Sequence, residues 1–296
     1  MNGIVLSAGL GTRLRPFTDT TPKPAIPFLS VPLACYPLAL FEDQKIHNLV
    51  VNTHYLPEKI ETLFRGLKWP LQRKPENLIF SPEPNQILGS GGGVRQAIRH
   101  LIGQKTFFVV NADEVILPQH FLVIKEALEF HRHHKGIATL LCIQHPGVGS
   151  KFGGAWVDAN HQVKQFSKLP VPGLQGLHFT GVLLLNDAIK NYFFTDEFKE
   201  ENILYDTLTK AMSQGEEVYA TEIDAKWFET GNPADFLTAS EECLDGLKQK
   251  PRAPWAEYLS QLICRCSTRE HLVENTRSEL KQKMQAQLEK TLAGRE

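Results

Sequence analysis

The stretch that decides the fold is MNGIVLSAGLGTRLRPFTDTTPKP, residues 1–24. An apolar run at 4–8 stops at Gly9 and Gly11, and three cations follow before any long helix could form. Glycine has no Cβ, so backbone N–H groups beside it can approach ligand oxygens closely. The guanidinium of Arg13, just after these glycines, can bind phosphate through two parallel hydrogen bonds. The stretch therefore predicts a buried strand that ends in a phosphate-binding loop.

Two well-known phosphate loops fit this stretch poorly. GLGTRL at 9–14 begins like the dinucleotide fingerprint, but Leu14 stands where the third glycine belongs, and no acidic residue follows about 20 positions later. The Gly-Lys-Ser/Thr ending of a P-loop is also missing. Taken alone, the residues also allow an ordinary strand and loop with solvated arginines. These comparisons disfavour an NAD-binding enzyme and leave the type of phosphate ligand open.

Short apolar runs alternate with helical patterns along the chain. The predicted strands are 4–8, 48–52, 78–81, 106–110, 138–144 and 178–185. The predicted helices are 32–45, 57–67 and 92–101. This alternation predicts βαβ units, and hence an α/β fold with a doubly wound, mostly parallel sheet. Ligands on such sheets bind at the carboxyl ends of the strands, which points to the loops after Ala8, Ser81 and Val110.

The pattern changes after about Lys151. Apolar segments at 152–157 and 163–166 flank a turn signal at 158–161, which predicts a small antiparallel insertion over the sheet edge. The chain then turns helical, and 253–292 is rich in Glu, Gln, Lys and Leu. We therefore predict a domain at 1–240 and a helical C-terminal extension at 241–296. The extension either packs on its own core or forms a contact between copies in a homo-oligomer, and the sequence leaves both open.

Composition excludes several classes of partner. The net charge of -1, from 32 basic and 33 acidic residues, gives no overall field that would gather nucleic acid or a membrane surface. No apolar stretch approaches the roughly 20 residues that span a bilayer, and the first strand lacks the features of a signal peptide. Five scattered cysteines are typical of reduced thiols inside the cell. We therefore expect a cytoplasmic protein that binds neither nucleic acid nor membrane.

Two clusters of possible metal ligands have spacings that fit a metal site poorly. Cys264 and Cys266 have a single spacer and no companion pair, whereas structural zinc usually has two pairs at wider spacing. The histidines at 131, 133 and 134 would spread around a helix and fit a solvated face better. No serine or cysteine has a nearby histidine pattern typical of acyl transfer.

Six motifs, in this order, resemble the signature of the sugar-phosphate nucleotidylyltransferases. They are GLGTRLRP at 9–16 with TPKP at 21–24, VNTHYL at 51–56, SPE at 81–83, LGSGGG at 88–93, VVNAD at 109–113 and WFETGNP at 227–233. The resemblance covers roughly residues 1–240 and implies a Rossmann-like fold. It implies an enzyme that joins a nucleoside triphosphate to a sugar 1-phosphate, releases pyrophosphate, and uses Mg²⁺ without a covalent enzyme intermediate.

The resemblance assigns the nucleotide side of the site. The residues implied to wrap the nucleotide are Ala8, Gly9, Gly11 and Thr12. Arg13 would neutralise the β- and γ-phosphates, and Lys23 would hold the α-phosphate. The residues implied to meet the base are Glu83, Gly89, Ser90 and Gly91. For Glu83, a surface carboxylate with no ligand is the alternative.

The resemblance also assigns the metal and the sugar side. Asp113 and Glu229 would bind Mg²⁺, although the family usually has Asp where this chain has Glu229. The residues implied to meet the sugar phosphate are Gly153, Lys168 and Thr180. The glutamate that precedes the family's lysine is Ser167 here, and the proline that follows it is Leu169. These departures weaken any sugar assignment taken from other members.

Two branches of the family resemble this chain most. They are the cell-wall N-acetylmuramate 1-phosphate uridylyltransferases, which we favour, and the mannose-1-phosphate guanylyltransferase-like proteins. The base loop at 88–93 and the lack of hexapeptide repeats in these 296 residues support both branches. A regulatory subunit that binds nucleotide sugars without turnover is the alternative, and Glu229 and Ser167 would be its traces. The retained Arg13, Lys23 and Asp113 argue against it, since clustered charges have no structural benefit.

Overall fold

The computed structural model describes residues 1–267 apart from 102, 104, 197 and 251. The strands are β1 Asn2–Leu6, β2 Pro27–Phe28, β3 Val31–Pro32, β4 Asn48–Thr53, β5 Asn77–Pro82, β6 Thr106–Asn111, β7 Val115–Pro118, β8 Ala138–Ile143, β9 Gly154–Val157, β10 Val163–Ser167, β11 Gln175–Asn186, β12 Val218–Glu222 and β13 Ala225–Phe228. The α-helices are α1 Phe17–Thr20, α2 Cys35–Ala39, α3 Pro57–Gly66, α4 Gly89–Ala97, α5 Val123–His134, α6 Thr209–Ser213, α7 Pro233–Gln249 and α8 Pro254–Cys266. Short 3-10 turns and one π-helical segment, Ile203–Leu208, complete the described elements.

The central sheet has the order β10-β9-β11-β6-β1-β4-β5, with β8 between β11 and β12. The pairs β1–β4, β1–β6, β4–β5 and β8–β12 are parallel. The long strand β11 runs antiparallel to β6, β8 and β9, and β9–β10 is an antiparallel hairpin. The predicted α/β class, with a mostly parallel sheet and a small antiparallel insertion, is confirmed. Two further ribbons, β7–β13 and β2–β3, lie outside the predicted strands.

The sheet separates two buried clusters, because neighbouring residues of a strand point to opposite faces. Ile4 and Val109 belong to one cluster, and Val5 and Val110 belong to the other. A strand that is buried on both faces has a continuous apolar sequence, which is why residues 4–8 and 106–110 were recognisable. The loops after these strands are thereby held at one edge of the sheet.

The predicted helix at 32–45 is wrong in length. Only Cys35–Ala39 is α-helical, and Phe41, Glu42 and Gln44 donate backbone hydrogen bonds to the third residue before each, which is the tighter 3-10 pattern. The segment from Leu33 to Phe41 is buried on all sides, with every residue that belongs to the core at 8% exposure or less. Its apolar spacing therefore reflects complete burial rather than one face of a helix.

The described part of the C-terminal extension packs on the same core. Helix α7 crosses the predicted boundary at 240/241, and α8 buries Trp255, Leu259 and Leu262 in the cluster that includes β7 and α2. This placement matches the alternative of a helix that packs on its own core. Most of the tail, 268–296, lies outside the described residues, so the two-domain division stays a prediction. Within the described part, no helix has the length and apolar content needed to cross a membrane.

The cysteines and histidines that suggested metal sites in the sequence do not form one in the described part of the chain. All five cysteines are free thiols, and only Cys264 is exposed. The interpretation as a solvated face is wrong for His131, which is buried, with Nδ1 at 2.8 Å from Thr139 Oγ1 and Nε2 at 3.0 Å from Asn186 Oδ1. No group of three or more His, Cys, Asp or Glu side chains in the described ranges could hold a metal ion.

Candidate active site

A cavity of about 330 Å³ opens at the carboxyl ends of β1 and β6. The predicted site residues that line it are Ala8, Gly9, Gly11, Thr12, Arg13, Lys23, Glu83, Gly89, Ser90 and Asp113. Asn52, Asn111 and Gly231 also line it. The structure therefore brings the predicted phosphate loop, both predicted catalytic cations and one predicted metal ligand to a single cavity.

The loop after β1 has its shape because of Gly11. This residue has φ +62, and a Cβ there would lie 2.8 Å from Thr18 Cγ2. The Thr18 hydroxyl donates to Gly11 O at 2.9 Å and ties the loop to α1. A 3-10 turn, Thr12–Leu14, begins immediately afterwards and carries Arg13 into the cavity. A side chain at position 11 would be strained by its backbone conformation as well as its neighbour.

Lys23 and Asp113 form an ion pair inside the cavity. Lys23 Nζ lies 2.6 Å from Asp113 Oδ2, and the two side chains are 12% and 35% exposed. Lys23 begins a 3-10 turn, and Asp113 follows β6 by two residues, so elements distant in sequence position the two charges. A phosphate that enters the cavity would meet the ammonium of Lys23 and would be repelled by Asp113 unless a cation lies between them.

Glu83 is a buried carboxylate in the wall of the cavity, where it links two elements by hydrogen bonds. It is 2% exposed, so the surface interpretation is wrong. Its carboxylate accepts hydrogen bonds from Asn52 Nδ2 at 2.8 Å and from the Leu88 N–H at 2.9 Å. Burial raises the pKa of Glu83, and these two donors oppose the rise. Glu83 therefore connects β4 to the start of α4, which carries the predicted base loop.

The three predicted base-loop residues differ in whether they line the cavity. Gly89 has φ +74, and a Cβ there would lie 2.5 Å from the Glu201 carbonyl oxygen. Ser90 Oγ accepts from the Ile203 N–H at 3.0 Å. The Gly91 N–H donates to the same Glu201 carbonyl at 2.7 Å, and Gly91 does not line the cavity. The structure thus places Gly89 and Ser90 at the cavity, while the Gly91 amide is engaged behind it.

The second predicted metal ligand lies in a neighbouring loop. Thr230 Oγ1 donates to the Asp113 carbonyl at 3.0 Å, and Glu229 accepts from the Gly231 N–H at 2.6 Å. Glu229 lines a separate cavity of about 150 Å³ rather than the larger one. The two carboxylates therefore sit in loops that are tied together, with Glu229 on the side of the smaller cavity.

The predicted sugar-side residues are only partly together. A Cβ on Gly153 would collide with Tyr205 Oη and would lie 3.7 Å from Lys168 Cγ, so these three residues are neighbours. Thr180 is fully buried, and its hydroxyl donates to Leu141 O at 2.8 Å. The Thr180 side chain is thus engaged within the sheet. No motif in the sequence indicated Tyr205. It lies in the π-helical segment Ile203–Leu208, which places it beside Gly153.

Further site neighbours were absent from the predictions. The Ser7 N–H donates to Asn52 Oδ1 at 2.6 Å, which joins β1 to β4 beside the cavity. Glu114, next to Asp113, accepts from Trp227 Nε1 at 2.8 Å. Burial, with the nearby Asp113 charge, raises the pKa of Glu114 to about 7. The only sequence signal for Glu114 is its position immediately after the predicted metal ligand.

An α/β sheet with a glycine loop, two cations and a carboxylate around one cavity is typical of the class of proteins that bind phosphorylated ligands. A family model described as Nucleotidyl transferase matches residues 2–246, and the chain belongs to this family.

Curated relatives include two enzymes with different substrates in their names. The mannose-1-phosphate guanylyltransferase catalytic subunit beta of Drosophila melanogaster is 30% identical over 250 residues, covering 83% of this chain and 64% of that protein. The UTP–glucose-1-phosphate uridylyltransferase of Synechocystis is 28% identical over 247 residues, covering 81% of this chain and 62% of that protein. The chain thus spans a little under two thirds of the length of these two relatives.

Solved structures share the fold. HddC from Yersinia pseudotuberculosis aligns with TM-score 0.63 at 23% identity, covering 81% of this chain and 98% of that one. A UDP-glucose pyrophosphorylase from Acinetobacter baumanii aligns with TM-score 0.67 at 18% identity, covering 89% and 98%. At these identities the alignments establish the architecture of the sheet and its helices.

Proposed function

We propose that the chain is a sugar-1-phosphate nucleotidylyltransferase. It would transfer a nucleotidyl group from a nucleoside triphosphate to a sugar 1-phosphate and release pyrophosphate. The observation that carries the proposal is the single cavity of about 330 Å³ that holds the Gly9–Gly11 loop together with Arg13, Lys23 and Asp113. Membership of the nucleotidyl transferase family supports it.

The reaction needs charge neutralisation more than proton transfer. A phosphate oxygen of the sugar 1-phosphate forms a bond to the α-phosphorus, and the bond from that phosphorus to the bridging oxygen breaks, so pyrophosphate leaves with the electron pair. The attacking oxygen is already anionic near neutral pH, so no side chain has to remove a proton. Lys23 is proposed to stabilise the α-phosphate and Arg13 the departing pyrophosphate. Backbone N–H groups of the glycine loop would orient the chain of phosphates.

The carboxylates present suit Mg²⁺. This ion binds through one or two carboxylates together with substrate phosphates, and Asp113 is a partly exposed carboxylate at the cavity. Asp113 would hold the ion, and Glu229 would support it from the adjoining loop. When bound, Mg²⁺ would supply positive charge between Asp113 and the phosphate oxygens. Lys23 would then exchange its contact with Asp113 for one with phosphate.

For the particular substrates, we propose uridylyl transfer to N-acetylmuramate 1-phosphate, in a cytoplasmic enzyme of cell-wall metabolism. This choice rests on the resemblance of the chain to the cell-wall branch, because the base loop at 88–93 is shared with the second candidate and Ser167 departs from the family's sugar-side pattern. Guanylyl transfer to mannose 1-phosphate is the second candidate, favoured by the name of the 30% identical relative. Gly153 and Lys168, with Tyr205 beside them, are proposed to meet the sugar phosphate. Assembly into a homo-oligomer through the C-terminal helices is a separate proposal.

The test is pyrophosphate release by the purified chain with Mg²⁺, each common nucleoside triphosphate, and a panel of sugar 1-phosphates. The panel includes N-acetylmuramate, mannose and glucose 1-phosphates. Release that requires one nucleotide and one sugar phosphate together is the expected result. Nucleotide binding with no release from any pair would refute the transferase and favour the regulatory subunit instead.

A further inference from the structure

Glu114 joins the loop of the predicted metal ligand to the sugar side of the site. Its Oε2 accepts from Trp227 Nε1 at 2.8 Å, and its Oε1 accepts from Asn111 Nδ2 at 3.2 Å. Asn111 ends β6, and Trp227 lies in β13, which pairs with β7 just after Glu114. One carboxylate therefore spans two elements that meet beside Asp113.

A third element closes around this carboxylate. Gly181 in β11 has φ +81, and a Cβ there would lie 2.5 Å from Glu114 Cγ and 2.9 Å from Asn111 Nδ2. The strand can approach Glu114 this closely only because residue 181 has no side chain. Glu114 is thus confined from three sides, and its two direct partners are neutral donors rather than cations. Burial among neutral donors is costly for a carboxylate, so the presence of Glu114 at this place points to a role in the site.

The partner of Glu114 forms the wall of the smaller cavity. Trp227 lines the cavity of about 150 Å³ with Phe152, Lys151 and Glu229. Its ring lies 4.2 Å from the His178 ring and 5.5 Å from the Phe152 ring, measured between centroids. Phe152 precedes Gly153, one of the residues proposed to meet the sugar phosphate. An indole has a single N–H donor, so its hydrogen bond to Glu114 fixes how the ring is turned.

We propose that Glu114 is a positioning residue that holds the Trp227 ring as the wall against which the sugar of the sugar 1-phosphate packs. The proposal rests on the proposed transferase function. Aromatic walls with a few fixed polar groups are the usual way in which proteins hold small ligands. Glu114 itself touches neither the sugar nor the nucleotide, so its removal should weaken sugar binding and leave nucleotide binding almost unchanged.

The experiment compares KM values for the two substrates in a set of variants. Glu114→Met fills the space without an acceptor, Glu114→Gln keeps an acceptor oxygen, and Trp227→Phe removes the indole N–H. The double variant combines Glu114→Met with Trp227→Phe. Trp255→Phe, in the buried α8, is the matched tryptophan control. Thermal unfolding is measured for every variant.

We expect Glu114→Met to raise the KM for the sugar phosphate about tenfold, the size typical of losing one apolar contact in a pocket. The KM for the nucleotide stays within about twofold, because Asn111 is the one residue lining the nucleotide cavity, among those described, that is hydrogen-bonded to the Glu114 side chain. Glu114→Gln has a smaller effect than Glu114→Met. The double variant is no worse than Trp227→Phe alone, since both changes act through one ring. Trp255→Phe leaves both KM values unchanged.

Several results would overturn the proposal. They are an unchanged sugar-phosphate KM in Glu114→Met, equal rises in both KM values, or effects that multiply in the double variant. If Glu114→Met does not fold, an unchanged sugar-phosphate KM in Trp227→Phe overturns it instead. A wild type that turns over no substrate pair refutes the transferase function, and the proposal falls with it. If the wild type is active and Glu114→Met has an unchanged KM for the sugar phosphate, the role of Glu114 is refuted while the transferase function stands.

Discussion

Replacing Asp113 with Asn tests whether this carboxylate is needed for catalysis, because the substitution should change the stability of the protein very little. The substitution keeps the size of the side chain and removes its charge. Asp113 lies 2.6 Å from Lys23 Nζ, and its backbone carbonyl accepts from Thr230 Oγ1. The backbone contact is unaffected by the substitution, and the amide oxygen of Asn can still accept from Lys23. We therefore expect the fold to survive.

The two expected magnitudes differ widely. Loss of the charge in a partly exposed ion pair should cost about 1 kcal/mol of the free energy of unfolding. For a chain of 296 residues, that corresponds to a fall in Tm of about 2 °C. Loss of a group that stabilises charge at the reacting phosphates should lower kcat by a factor of about 100 to 1,000. The predicted result is a large loss of turnover with a small loss of stability.

The control is Asp187→Asn. Asp187 forms an ion pair with Lys190 at the same distance of 2.6 Å, and its side chain is 40% exposed. It lies outside the cavity, so its removal should change neither kcat nor KM. The assay is pyrophosphate release at saturating substrates, with thermal unfolding of each variant. Turnover by Asp113→Asn within about threefold of the wild type would exclude Asp113 from the chemistry. Equal losses in the two variants would refute a specific role.

Three further outcomes are expected. Arg13→Ala should lower kcat about 100-fold, because a cation proposed for the leaving pyrophosphate is lost, whereas Arg15→Ala, at an exposed ion pair with Asp19, should not. Burial lowers the pKa of His178 to about 4, so the folded state resists protonation. Stability from neutral His178 is therefore complete above about pH 6.5 and declines by about 3 kcal/mol as the pH falls toward 4, a decline that urea unfolding should find missing in His178→Asn. Deletion of 254–296 should abolish cooperative thermal unfolding, since it removes α8 and its four large buried side chains, Trp255, Tyr258, Leu259 and Leu262, which contribute about 2 kcal/mol each.

Each of these three predictions would be refuted by a specific result. Equal effects of Arg13→Ala and Arg15→Ala would indicate a general charge effect. Wild type and His178→Asn that lose the same stability between pH 7 and 4 would assign the decline to other groups. A deletion variant that keeps the wild-type Tm would show that α8 is dispensable for the core.

The strands near the cavity could be predicted because they are buried on both faces. Residues 4–8 and 106–110 are continuous apolar runs for that reason, and the observed strands differ from them by two residues or fewer at each end. The direction of β11 could not be predicted in the same way. Its apolar residues would look alike in a parallel or an antiparallel strand, because direction depends on the path of the chain around it.

The site was predictable where one short motif supplies both the backbone and the side chain. The Gly9–Gly11 loop and Arg13 are such a case, and they reach the expected cavity. Contacts between distant segments left no local pattern. The Gly91 amide is engaged by Glu201, and Tyr205 reaches Gly153 across a π-helical segment. The buried state of Glu83 also depends on partners from two other elements, Asn52 and Leu88.

The central claim is that the chain links a nucleotide to a sugar 1-phosphate. The most direct measurement follows the phosphorus resonances of a reaction that contains the purified protein, Mg²⁺, UTP and N-acetylmuramate 1-phosphate, with GTP and mannose 1-phosphate as the parallel pair. The account predicts that one pair yields a sugar-linked diphosphate and pyrophosphate in equal amounts, and that Asp113→Asn forms both at least about 100-fold more slowly. Loss of triphosphate without a sugar-linked product, or no change with any nucleotide and sugar phosphate, would contradict it.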